Sequence, residues 1–139
     1  MGRILAIDYG MRRTGLAVSD PLKIIANSLE TVETKELLIY LKNYIAKETV
    51  ESIVIGLPKN LSNQDTDATQ AVRVFAEVLK STFPLIPLHF YDERFTSKMA
   101  MQTLIAAGTT KKFRKSKNGN LDKVSATIIL QDFMSFNQQ

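Results

Sequence analysis

Four consecutive apolar residues, Ile4-Leu5-Ala6-Ile7, run without a polar alternate. Such a run reads as a central strand buried on both faces, so it constrains the fold to an α/β sheet with layers on either side. The run ends in Asp8, just before the glycine-bounded turn from Tyr9 to Gly15. A carboxylate at the covered end of a central strand is costly unless it is paired or holds a metal ion. Asp8 is therefore the first candidate ligand, with capping of the following turn as the structural alternative.

Residues 3–9, 15–19 and about 23–32 read as three successive strands, the first two joined by a short antiparallel turn. Residues 36–47 carry Leu37, Leu38, Leu41, Tyr44 and Ile45 at helical spacing, which predicts an amphipathic helix against the sheet. A fourth, fully apolar strand, Ser52-Ile53-Val54-Ile55-Gly56, is stopped by Leu57-Pro58. Entered through a helix crossover, it is most simply parallel to the first. The run Asp65-Thr66-Asp67 supplies candidate caps for a helix with Ala68, Val72, Phe75, Ala76 and Leu79 on its apolar face. A short fifth strand, residues 88–91, then stops at Asp92-Glu93-Arg94. Thr96 or Ser97 caps a helix to about Ala107, and a last helix spans about 121–136 with Val124, Ile128, Leu130 and Phe133 among its apolar positions. The expected architecture is a mixed five-stranded sheet flanked by helices, one domain over residues 1–139 with no internal repeat.

Charge separates the chain into two parts. Residues 1–97 carry 11 Lys/Arg against 12 Asp/Glu, whereas residues 98–139 carry 7 against 2, so the net +4 comes from the C-terminal part. Five of those cations, Lys111, Lys112, Arg114, Lys115 and Lys117, precede the turn signal Asn118-Gly119-Asn120. The segment reads as an exposed basic loop whose natural partner is a polyanion, against the plainer reading of a solvated loop. The absence of cysteine removes disulfides, zinc-thiolate sites and thiol nucleophiles. No apolar stretch approaches the roughly 20 residues that span a bilayer, and no signal-peptide profile opens the chain, so a soluble cytoplasmic protein without a membrane partner is expected.

Three carboxylate positions converge on topological grounds. Asp8 and Asp92/Glu93 lie at the carboxyl ends of strands, where open α/β sheets place ligands, and Asp122 lies in the first turn of the last helix. The small residues Ser125 and Ala126 in that helix's next turn would allow close approach to the sheet. Hard oxygen ligands of this kind suit Mg²⁺ or Mn²⁺ and the hydrolysis of phosphodiesters. Side chains alternate along an extended segment, so Asp92 and Glu93 cannot both face one site, and spacing leaves the choice open. Asp122 near a helix N-terminus is also favoured by the helix dipole whatever the function. The chain's single histidine, His89, sits inside the fifth strand and reads as a packed side chain, a poor general-base candidate.

The series Asp8-Tyr9-Gly10 through Arg13, Gly15, Ala17 and Ser19-Asp20, then Gly56-Leu57-Pro58 with Asn60, then Asp92-Glu93-Arg94-Phe95-Thr96, then Asp122 with Ala126 and Ile129-Leu130-Gln131, resembles the motifs of the YqgF/RuvX family over nearly the whole chain. The resemblance implies a ribonuclease H-like fold related to Holliday junction resolvases. It also implies a nuclease that trims the 5′ end of precursor 16S ribosomal RNA in the bacterial cytoplasm. The family's acidic positions fall on Asp8, Glu93 and Asp122, which by this analogy selects Glu93 over Asp92 and makes the three both catalytic and metal ligands for Mg²⁺ or Mn²⁺. Arg12, Arg13 and Arg94 flank the acids in sequence and are expected to hold phosphates, while the basic loop tracks the backbone beyond.

Two positions depart from the family pattern: Leu61-Ser62-Asn63-Gln64 lacks the usual glycine, and Phe95 stands where leucine is usual. Other readings are a non-catalytic RNA-binding factor of small-subunit assembly, and a resolvase of branched DNA. The segment Asp8-x-Gly10…Thr14-Gly15 also resembles the first phosphate loop of sugar kinases and actin, but the chain lacks the length for the second domain that closes over ATP. A single-end trimming enzyme could be a monomer, whereas a junction resolvase needs two sites related by two-fold symmetry, hence a homodimer.

Overall fold

The computed structural model describes residues 2–58, 64, 66–92 and 120–137, the last segment with side chains over 125–135. Five strands form one sheet: β1 (Arg3–Asp8), β2 (Arg13–Ser19), β3 (Ala26–Glu33), β4 (Val50–Leu57) and β5 (Leu88–Asp92). Their spatial order is β3-β2-β1-β4-β5, with β1–β2 and β2–β3 antiparallel and β1–β4 and β4–β5 parallel. The expected mixed sheet is therefore present. Among the described residues the helices are α1 (Leu37–Lys47), entered through a 3-10 turn at Thr34–Glu36, α2 (Asp67–Thr82) and α3 (Asn120–Asn137). The helix expected from about residue 96 to 107 lies outside the described residues.

Alternation along the central strand sorts the core into two layers. Leu5 and Ile7 of β1, Leu16 and Val18 of β2, and Ile53, Ile55 and Leu57 of β4 pack with Leu37 and Leu41 of α1 and Val72 and Leu79 of α2. Ile4 and Ala6, with Ala17 and Val54, face the other way onto Ala126, Ile129, Leu130 and Met134 of α3. This is the two-faced burial that an apolar run without alternation demands.

Local chemistry moved several boundaries. Strand β3 begins at Ala26, not near Lys23, because Asp20 Oδ1 accepts the backbone N–H groups of Ile24 and Ile25 at 2.7 and 2.8 Å and Lys23 takes a positive φ of 60°. Those bonds to the charged form also lower the Asp20 carboxyl below its usual range, the Ile25 amide contributing most. In α2 the cap is Thr66, in a reciprocal capping box with Thr69. Thr69 is fully buried while Ala68, expected on the apolar face, is exposed. The hydroxyl of Thr69 also donates to the carbonyl of Pro58, a polar bond that fixes the start of α2 beneath the end of β4.

Candidate active site

Asp8 ends β1 as a half-buried side chain. It shares the face of Ile4 and Ala6, the face covered by α3. Its partner across β2 is Gly15, and on β4 the residue after the Ile7–Ile55 pair is Gly56. Both glycines are buried. Neither carries a side chain onto the face of Asp8, so the two neighbouring strand positions place no side chain beside the carboxylate. In the sequence these glycines read as a turn boundary and a strand stop; their place beside Asp8 follows only from the strand register.

The β1–β2 turn is held from outside the hairpin. Thr34, at the entrance to α1, donates from its backbone N–H to the carbonyl of Arg12 at 2.9 Å and from its hydroxyl to the carbonyl of Gly10 at 2.6 Å. Buried Thr14 closes the arrangement, its hydroxyl 2.9 Å from that of Thr34 and accepting the Gly10 N–H at 3.4 Å. A Cβ at position 10 would overlap the carbonyl oxygen of Arg13, so the turn has room only for glycine there. Arg12 and Arg13 are both exposed on this turn, beyond Asp8 at the carboxyl edge.

Asp92 ends β5 opposite Leu57. It shares the face of Leu88, which packs in the α1–α2 layer, and of Phe90, whose ring lies 5.9 Å from Lys80 Nζ of α2. Tyr91 alternates onto the α3 face. Asp92 therefore lies on the opposite face of the sheet from Asp8. Glu93, Arg94 and the basic residues Lys111, Lys112, Arg114, Lys115 and Lys117 lie outside the described residues.

Helix α3 runs antiparallel to β1. Its residues Phe133 and Met134 line a cavity of about 350 Å³ with Ile4, Ser52, Pro87 and His89, at the starts of β1, β4 and β5, so its first turn lies toward the other edge, where Asp8 is. Position 122 falls in that first turn, one helical turn before fully buried Ala126. Half-buried Ser125 and buried Ala126 bear out the close approach expected of small residues. His89 corrects the expectation of a packed side chain: it is exposed, with its ring 5.2 Å from that of Phe133. Its strand is at the sheet edge, where one flank meets solvent.

A hydrogen bond fixes α3 along the sheet: the Tyr91 hydroxyl donates to Asp132 Oδ2 at 2.6 Å. A charge-assisted bond of this kind stabilises by roughly 1.5–3 kcal/mol. Tyr91→Phe should lower stability by about 1–2 kcal/mol, read as a fall in the urea midpoint with an unchanged m-value.

No three of His, Asp and Glu converge among the described residues. Asp8 supplies hard oxygen donors, half-buried between two glycines, and that donor chemistry fits Mg²⁺ or Mn²⁺.

Comparison with known proteins places this geometry. The model of a family described as "RuvX: Holliday junction resolvase" matches residues 2–136. A protein of Bacteroides thetaiotaomicron named "Putative pre-16S rRNA nuclease" is 50% identical over 134 residues, covering 96% of each chain. A protein of the same name from Porphyromonas gingivalis is also 50% identical over 134 residues, with the same coverage. Among solved structures, Thermus thermophilus RuvC in complex with a Holliday junction substrate superposes with a TM-score of 0.62 at 16% identity, covering 98% of this chain and 96% of that one. The Fowlpox virus resolvase in complex with Holliday junction DNA gives 0.58 at 8% identity, covering 99% of both. At those identities the likeness is one of fold: the sheet and its flanking helices are ribonuclease H-like, as expected.

Proposed function

The chain belongs to the RuvX family of Holliday junction resolvases, and from this premise we propose that it is a metal-dependent nuclease processing the 5′ end of precursor 16S ribosomal RNA. The observation that carries the reading is Asp8, a half-buried carboxylate between two glycines at the carboxyl end of the central strand. Asp8, Glu93 and Asp122 are the residues that would hold Mg²⁺ or Mn²⁺. When bound, the ion supplies Lewis-acid stabilisation of the negative charge that develops on the phosphate oxygens. The chain's own part is to orient the scissile phosphate for in-line attack by water, which expels the 3′ oxygen and leaves a 5′ phosphate. Arg12, Arg13 and Arg94 would hold phosphates beside the acids, and Lys111, Lys112, Arg114, Lys115 and Lys117 would follow the backbone further out. The expected setting is the cytoplasm, with precursor rRNA, alone or on the small ribosomal subunit, as the partner.

The test is incubation of the protein with an RNA spanning the 5′ end of precursor 16S rRNA, and in parallel with a four-way DNA junction, in Mg²⁺, Mn²⁺ or EDTA. Cleavage of the RNA in either metal and its loss in EDTA is the expected result. Binding of the RNA without cleavage in any condition would favour a non-catalytic assembly factor, and cleavage of the junction alone would make the protein a resolvase.

A further inference from the structure

Beyond the acidic edge, the described residues Met11, Arg12, Arg13, Glu33 and Lys35 line a cavity of about 590 Å³. Three of the five are cations and one is an acid. Lys35 stands far from the arginines in sequence and carries no motif; it enters because β3 pairs with β2, setting Glu33 opposite Arg13 and delivering the 3-10 turn beside the hairpin. Arg13 is two residues beyond Gly15, the partner of Asp8, which places the cavity roughly 7 Å further out along the strands. Arg13 also shares the α3 face with Gly15 and Ala17. The cavity thus lies past the turn that follows Asp8, two strand positions beyond the Asp8–Gly15 pair.

Two features give it a definite chemistry. Lys35 Nζ lies 3.4 Å from Glu33 Oε2, but both side chains are largely exposed, 78% and 61%, so that pair is weak and a phosphate can compete for the lysine. Met11 is 73% exposed, an apolar, polarisable side chain held among cations by a turn that Thr34 and Thr14 pin. A thioether packs well against the face of an aromatic ring, and an unpaired nucleobase offers such a face. A paired base keeps its faces within the stack.

We infer that this cavity is a subsite for one nucleotide of a single-stranded polynucleotide, its phosphate held by Arg12 and Lys35 and its base packed against Met11. The inference rests on reading this edge as a nuclease site, and it assigns to that site a strand on the β2–β3 side which must be unpaired. Glu33 then lowers affinity by competing for Lys35.

The experiment is fluorescence anisotropy of a labelled 12-nucleotide single-stranded RNA, with the same RNA annealed to its complement as the second probe. Both are titrated across salt in EDTA, so that no cleavage intervenes. Lys35→Ala should weaken single-strand binding and lower the log–log salt slope by about 0.7, the value for one phosphate contact on a single strand. Met11→Ala should weaken single-strand binding several-fold with the slope unchanged, and leave duplex binding as it was. Glu33→Gln should tighten binding more in the native protein than in Lys35→Ala, where only the general gain from removing an anion remains. All three side chains are exposed, and circular dichroism checks that each variant is folded. Native binding strength and slope in Lys35→Ala, or native single-strand affinity in Met11→Ala, would overturn the subsite. Cleavage is measured separately: RNA that is bound as described but never cut in metal would remove the nuclease reading and leave the subsite, and normal cutting with unaffected variants would do the reverse.

Discussion

Replacing Asp8 by asparagine should abolish metal-dependent cleavage while leaving the protein folded. The substitution keeps the shape of the side chain and one carbonyl oxygen, so the turn beyond β1 and the packing of Ile4, Ala6 and Val54 on α3 are undisturbed. What it removes is the negative charge, and with it the tightest class of interaction a Mg²⁺ or Mn²⁺ ion can make. Metal stabilisation of a phosphoryl transition state amounts to several kcal/mol, and each 1.36 kcal/mol is tenfold in rate, so the fall should be about a thousandfold or more. Raising the metal concentration should restore little of it. The check is single-turnover cleavage of the precursor RNA by native protein and variant, with melting temperature as the control. A variant that cuts at the native rate would return Asp8 to the role of a turn cap and move the metal elsewhere.

The largest structural effect is expected at Gly10. Alanine there would drive its methyl group into the carbonyl oxygen of Arg13, a backbone atom that cannot swing aside as a side chain can. Relief requires the hairpin to open, and opening it breaks the bonds from Thr34 to the carbonyls of Gly10 and Arg12. Overpacking of this kind costs about 1–3 kcal/mol, and two strained or lost hydrogen bonds bring the total to about 3 kcal/mol. For a chain of this length that corresponds to a fall in melting temperature of roughly 10 °C. Because the turn carries Met11, Arg12 and Arg13 past the end of β1, RNA affinity should fall with stability. The discriminating comparison is Thr34→Val, which loses the hydroxyl bonds but keeps the backbone bond from Thr34 N–H to Arg12. It should lose less stability than Gly10→Ala, and equal losses would mean that the steric argument is wrong.

Much of the architecture was legible in the residues because burial on two faces leaves few ways to write a strand. Ile4-Leu5-Ala6-Ile7 had to be central, and it is. The parallel pairing of β1 with β4 followed from the crossover helix between them. Boundaries failed where polar side chains competed with the ladder: Asp20 captured two amides and delayed β3, and Thr69 took the buried place expected of Ala68. Neither competition shows in hydrophobic spacing. His89 failed for another reason, since a strand reading does not say whether the strand is at an edge.

The sequence by itself determined the strand that carries Asp8, the chemistry of that carboxylate, the family to which the motifs belong, and the basic character of residues 98–139. These are properties of composition, order and local periodicity, which a linear chain states directly. The tertiary structure decided which residues stand beside Asp8. Gly15 and Gly56 flank it without side chains, Asp92 falls on the far face, and Lys35 joins Arg12 and Arg13 across a gap of more than twenty positions. Each of these depends on strand register and on which face a side chain takes, and a shift of one residue would reverse it; register is fixed by packing across the whole sheet, not by any local run.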